Sequence, residues 1–294
     1  MLLRRMLLIA SCLFIAWIIF STFNAEDPSF ISPLDDNKII VEEEKTQPKR
    51  YYNYPDKISL DNVERKTSLK AKKTFNEIFF KDKHIVALGD SLTEGIGDAF
   101  SRGGYLAVLD RTINEEEVVA TFSNYGKLGE KTTDLLRRLR SYTIQESIKQ
   151  ADFVIMTIGA NDIIKVVSEN FADLSYELFL EEQERFEKRL IAILEEIRSL
   201  NEQAHIYLVG LYNPIELLLG DIKEFDQIVN EWNESSERVA EEWDKVTYVP
   251  VKDIFSSNSH LFAEDHFHPN SEGYVKIAER LLDYLTFKEG VTDE

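Results

Sequence analysis

His84-Ile85-Val86-Ala87-Leu88-Gly89-Asp90-Ser91-Leu92-Thr93-Glu94-Gly95 is the stretch that decides the fold. A short apolar run ends in a glycine, and a polar turn with a second glycine follows. Apolar runs of this length, stopped by turn residues, read as buried strands. The same grammar recurs downstream. A second strand is expected over 118–123, closed by Asn124-Tyr125-Gly126. A third is expected over 152–158, where Phe153-Val154-Ile155-Met156 is continuously apolar, as in a sheet covered on both faces. A fourth spans 206–211 and stops at Asn213-Pro214, and a fifth spans 246–251.

Helical patterns separate these strands. They are expected over 105–113, 132–141 and 225–243, and over 271–285 with Asn270 or Ser271 as cap. Between the third and fourth strands, Phe186, Leu190, Ile193, Leu194, Ile197 and Leu200 recur at helical spacing with charged residues between them. Strand and helix alternate about five times. That predicts an α/β fold: three layers, α/β/α, around an open, mainly five-stranded parallel sheet. We expect this domain over 82–288, with a short tail at 289–294.

Upstream the composition changes. Residues 26–81 carry Pro28, Pro33, Pro48 and Pro55 with clustered charges and weak hydrophobic periodicity, so a polar tether is expected, with a helix conceivable over 60–80. Residues 1–25 hold Arg4 and Arg5 before an apolar run that lacks a polar face. That pattern predicts a signal anchor, or a signal peptide if cleaved, and the positive-inside rule puts the rest of the chain outside the cytoplasm. Phe23 stands where a signal peptidase prefers a small residue, which favours retention as a single-pass anchor. Cys12 is the only cysteine, so no intrachain disulfide is possible. The net charge of −19 argues against a nucleic-acid partner and against docking on an anionic surface.

In open parallel sheets ligands bind beyond the carboxyl ends of the strands. Chemistry is therefore sought there. Ser91 follows the first strand in a glycine-flanked turn that can aim its hydroxyl into the cleft. Gly126 and Gly129 follow the second, and a glycine can present its backbone N–H to a developing oxyanion. Asn161, in Gly159-Ala160-Asn161-Asp162, can donate its amide to the same charge. Each of these also fits an ordinary turn or cap. After the fifth strand comes Asp265-His266-Phe267-His268-Pro269. A serine needs a base within hydrogen-bond reach, and the base needs an orienting group. His84 and His205 begin strands, at the wrong end of the sheet, and His260 sits in a polar loop. Asp265 lies three residues before His268, which one turn can bring together. His266 competes as base, and spacing alone does not reject it. A metal reading of Asp265, His266 and His268 lacks a complementary ligand cluster.

These marks together resemble the GDSL/SGNH hydrolase family, over about 84–287: Gly89-Asp90-Ser91-Leu92, Gly129, Gly159-Ala160-Asn161-Asp162 and Asp265-His266-Phe267-His268-Pro269. Lys127 and Leu128 depart from the small residues usual before the family's glycine. The resemblance implies a flavodoxin-like sheet and a serine ester hydrolase, with Ser91, Asp265 and His268 catalytic. Ser91, Gly129 and Asn161 would hold the oxyanion. No metal or organic cofactor is implied. Substrates in the family include lipids, lysophospholipids, thioesters and acetylated glycans. Leu217-Leu218-Leu219 and the run 174–180 are candidate acyl-pocket linings, although such runs are more often core. The rival expectation is a membrane-tethered binding module that kept the fold and lost catalysis. No pattern in the sequence specifies an oligomeric state.

Overall fold

The computed structural model describes residues 80–99, 103–115, 117–170, 173–214, 223–256 and 258–287. The expected N-terminal anchor, nearly all of the tether, Leu217-Leu218-Leu219 and the tail at 289–294 lie outside the described residues. Among the described residues no helix is long and apolar enough to cross a membrane.

Five strands form one parallel sheet: β1 (Lys83–Gly89), β2 (Ala120–Gly126), β3 (Phe153–Thr157), β4 (His205–Val209) and β5 (Val246–Val249). Their order across the sheet is β2-β1-β3-β4-β5. The helices are α1 (Ser91–Glu94), α2 (Gly104–Ile113), α3 (Thr132–Arg138), α4 (Tyr142–Lys149), α5 (Ala160–Glu169), α6 (Tyr176–Leu200), α7 (Lys223–Glu241), α8 (Lys252–Phe255) and α9 (Ser271–Phe287).

Strand side chains alternate between the two faces, and each face has its own core. Val86, Leu88, Val154, Met156, Ile206 and Leu208 pack under Phe186, Leu190, Ile193 and Ile197 of α6 and Trp232 of α7. Ile85, Ala87, Ile155 and Val249 pack with Leu106 and Leu109 of α2 and Ile277 and Leu281 of α9 on the other face. Two covered faces explain why β3 reads as an unbroken apolar run.

β1 pairs with β2 on one edge and β3 on the other. The strand order therefore reverses there, and a crevice opens at the carboxyl ends of β1 and β3. Gly89 sits at that point with φ 133°, and a Cβ there would stand 1.9 Å from the Thr157 carbonyl oxygen. Only glycine lets β1 turn into α1 against β3.

The sequence pattern misplaces three features. β2 starts at Ala120 and continues through Asn124-Tyr125-Gly126, which were expected to close it. The helix expected over 132–141 stops at Arg138, and tight i→i−3 bonds at Arg140 and Ser141 separate it from α4. α4 buries only Ile144 and Ile148, one turn apart, a signal too short to stand out. The run 174–180 takes the commoner of its two expected roles, core: Phe179 is buried, Leu174 and Leu178 pack on the α6-side core, and Leu180 is exposed.

Candidate active site

Ser91 is the first residue of α1, directly after the β1 turn. Asp90 caps this helix, its Oδ1 accepting the Leu92 N–H at 3.1 Å. The same oxygen accepts the Thr157 hydroxyl at 2.9 Å, which ties the Ser91 turn to β3. Thr157 continues into a buried chain of hydroxyls through Thr93 to Tyr105, each step 2.7 Å. Asp90 is 2 % exposed. Burial pushes its carboxyl up to about 6, against the opposing effects of Thr157, the Leu92 N–H and His268.

His268 Nε2 lies 3.0 Å from Ser91 Oγ. Its other ring nitrogen, Nδ1, lies 2.6 Å from Asp265 Oδ2. A proton on Nδ1, shared with that carboxylate, leaves Nε2 free to accept from the serine. Asp265 Oδ1 meanwhile accepts the backbone N–H groups of Phe267 and His268, both at 2.9 Å. One carboxylate thus shapes the loop with one oxygen and orients the imidazole with the other. Burial acts to raise the Asp265 pKa. The hydrogen bond and charge of His268 and the two backbone N–H groups outweigh it and hold the group below the usual carboxylate range. His268 is 2 % exposed, whereas His266 is exposed at the loop tip with φ 55°. His84 and His205 sit at the far end of the sheet, bonded to Thr121 and Thr247.

The third group of expected residues surrounds the loop after β2. The Gly126 N–H is bonded to Asn124 Oδ1 at 2.8 Å. Gly126 is glycine for a packing reason, since a Cβ would meet the Glu94 nitrogen at 2.1 Å. Gly129 lies in the turn proper with φ 74°. Its backbone N–H has no partner among the described residues. Asn161 stands in the first turn of α5 rather than in a loop, and its Nδ2 donates to the Glu130 carbonyl at 3.0 Å. That contact puts Asn161 beside the Glu130-Lys131 peptide, one residue past Gly129, and leaves its second N–H for another acceptor.

Several supporting residues escaped the sequence reading. Glu130 is buried against Arg138, with 2.6 Å between Arg138 Nη1 and Glu130 Oε1. Burial pushes Glu130 up to about 7, with Arg138 opposing. Asp162 accepts both the N–H and the hydroxyl of Thr132, at 3.1 and 2.6 Å. Arg189 of α6 reaches Asp162 at 3.1 Å and Glu182 at 2.6 Å. The position of Asp162 next to Asn161 was the one available signal. Arg138 and Arg189 looked like ordinary helix charges.

Beside Ser91 lies a pocket open to solvent. Leu92, Ala160, Val209, Leu211, Tyr212, Pro214 and Phe267 give it an apolar lining, with Asp90, Ser91, Thr157 and Asn161 at its base. Among the described residues no group of three or more His, Cys, Asp or Glu side chains could hold a metal ion.

Residues 87–276 match the GDSL-like Lipase/Acylhydrolase family. The chain is 37 % identical over 236 residues to the uncharacterised protein YpmR of Bacillus subtilis (strain 168), covering 78 % of this chain and 91 % of that protein. It is 26 % identical over 207 residues to the spore germination lipase LipC of Bacillus licheniformis, covering 66 % and 92 %. Among solved structures, the lipase Lip_vut3 from a goat rumen metagenome superposes with a TM-score of 0.60 at 25 % identity, over 68 % of this chain and 95 % of that one. Axe2, an acetyl-xylooligosaccharide esterase from Geobacillus, shares the fold with a TM-score of 0.54 at 20 % identity, over 70 % and 94 %.

Proposed function

The chain belongs to the GDSL-like lipase/acylhydrolase family, and from that membership we propose a serine ester hydrolase that works through an acyl-enzyme on Ser91. One observation carries the reading: an unbroken relay from Ser91 Oγ to His268 Nε2 at 3.0 Å and from His268 Nδ1 to Asp265 Oδ2 at 2.6 Å.

Ser91 Oγ attacks the ester carbonyl carbon as His268 Nε2 takes its proton. The carbonyl oxygen becomes an oxyanion, held by the N–H groups of Ser91 and Gly129 and by the Asn161 amide. Gly129 is the better glycine for this role, because Gly126 has already committed its N–H to Asn124. The tetrahedral adduct then collapses. The bond to the alcohol oxygen breaks, and His268 returns the proton to that leaving group. Water, deprotonated by the same imidazole, attacks the acyl-enzyme. His268 returns that proton to Ser91 Oγ as the carboxylic acid leaves, and the acid then ionises in solvent. Asp265 fixes the imidazole tautomer throughout.

The apolar lining of the pocket supports an aliphatic acyl group of a lipid or lysophospholipid over the acetyl group of a glycan. LipC and Lip_vut3, both named as lipases, point the same way. Arg4, Arg5 and the apolar run after them support a domain held outside the cytoplasm by an N-terminal anchor, or secreted if that segment is cleaved.

The test is a series of nitrophenyl esters from acetate to octanoate, turned over by the wild type and by Ser91→Ala. The reading expects kcat/KM to rise about fourfold for each methylene the pocket accommodates, and to vanish in Ser91→Ala. A Ser91-dependent preference for acetate would move the substrate to acetylated glycans. Turnover equal in the two proteins would remove the catalytic role of Ser91.

A further inference from the structure

The peptide joining Phe267 to His268 is held from both sides. Its N–H donates to Asp265 Oδ1 at 2.9 Å. Its carbonyl accepts the Tyr212 hydroxyl at 2.9 Å, across 55 positions of sequence. Tyr212 stands just past β4, and its ring is seated on two others. The centroid of Phe255 is 4.3 Å away and that of Phe262 is 5.6 Å away, and those two rings meet each other at 5.2 Å. Phe262 in turn bridges to Pro269, and the Ala263 N–H bonds to the His268 carbonyl at 2.8 Å. The aromatic cluster is therefore a rigid bed beneath the histidine loop. Tyr212 is 8 % exposed, and the face it shows lines the pocket beside Ser91.

We propose that Tyr212 is a positioning residue for the histidine: its hydroxyl, fixed by the wall of the acyl pocket, locks the peptide that carries His268. The proposal rests on the serine-hydrolase reading of the site. Asp265 alone holds the loop to itself, since its partners are two and three residues away. Tyr212 ties that loop to the sheet that carries the other side of the pocket. Burial keeps the phenol pKa well above its ordinary value, with the charges of Asp90 and Asp265 acting in the same direction, so the hydroxyl keeps the proton it donates. Because the same side chain faces the acyl group, the length of acyl chain accepted and the aim of the base depend on one residue.

Misaligning His268 harms one step more than the others. An alkoxide leaving group must receive a proton from the imidazole, whereas nitrophenolate departs without one. Tyr212→Phe keeps the ring and removes only the hydroxyl. The experiment compares kcat/KM of the full chain for ethyl butyrate and nitrophenyl butyrate, which share an acyl group and differ only in the alcohol. We expect Tyr212→Phe to lose about tenfold on ethyl butyrate and no more than about threefold on nitrophenyl butyrate. The ratio of the two rates in one preparation does not depend on the fraction folded. A structural role alone would therefore leave it unmoved. Equal losses on both esters, or no loss on either, overturn the role of Tyr212 while the serine-hydrolase reading stands. Absence of Ser91-dependent turnover in the wild type removes both.

Discussion

The two loops that flank Ser91 are built by opposite strategies. The histidine loop is organised chiefly from within: Asp265 bonds to Phe267 and to His268, two and three residues on, and Tyr212 adds a tie from 55 residues away. The loop after β2 is organised from outside. Glu94 accepts the Leu128 N–H at 2.6 Å from 34 residues away. Asn161 reaches the Glu130 carbonyl from 31 residues away, Asp162 holds Thr132 from 30, and Arg189 reaches Thr132 from 57. A locally built loop takes most of its shape from its own residues and leaves only its aim to an outside tie such as Tyr212. A remotely built loop is only as well placed as the helices that hold it, here α1, α5 and α6.

Asp265→Asn strikes the local loop where it should be most sensitive. Asparagine retains an oxygen for the two backbone N–H groups but offers a donor to His268 Nδ1, which imposes the wrong tautomer. We expect kcat to fall about 10³–10⁴-fold with the melting temperature nearly unchanged. An unfolded or strongly destabilised variant would show that the loop depends on more than its own residues. Asn161→Ala tests the other side. It deletes the proposed oxyanion donor and the tie to Glu130, and we expect kcat to drop about 100- to 1000-fold with KM little changed.

Arg189→Met separates remote support from chemistry. It leaves Asp162 buried without its cation and Glu182 with only the exposed Arg185, so we expect a loss of stability of about 3 kcal/mol. The loop after β2 should lose its aim with it, lowering kcat roughly tenfold. A variant less stable but equally active per folded molecule would mean that α6 supports the fold and not the site.

The contrast also explains what was legible in the sequence. Asp265 and His268 lie within one turn of chain, so their pairing could be anticipated from spacing, although spacing did not separate His268 from His266. Ser91 could be anticipated as well, because an apolar strand runs directly into its turn. The five strands were visible because both faces of the sheet are covered. The choice between Gly126 and Gly129 was not visible, since it depends on the Asn124 side chain and on Glu94 packed against Gly126. Nor were Thr157, Arg189 and Tyr212, whose partners are brought close only by the parallel crossovers. α4 was missed because two isoleucines make too faint a periodicity. The element ends moved by a few residues where tight turns, rather than helix breakers, stop α3.

The smallest expected effect concerns the floor that both loops share. Asp90 has a folded-state pKa of about 6, raised from 3.8 chiefly by burial. A carboxyl raised in this way favours folding fully while it is protonated, below its unfolded pKa. That contribution is lost as pH rises through the folded value. The window is therefore about pH 4 to 6, and the loss amounts to roughly 2–3 kcal/mol at most. Asp90→Asn cannot titrate. Melting curves should place it close to the wild type near pH 4 and several degrees higher, relative to that starting gap, by pH 7. A gap independent of pH would mean that Asp90 is ionised throughout.

The central claim is that Ser91, activated by His268, forms a covalent intermediate. Its most direct test is intact-mass analysis of the full chain after treatment with a fluorophosphonate, followed by peptide mapping. The account predicts a single adduct on Ser91, absent from Ser91→Ala and formed far more slowly in His268→Ala than in His266→Ala. An adduct on another residue, or Ser91 labelling that is indifferent to His268, would contradict it.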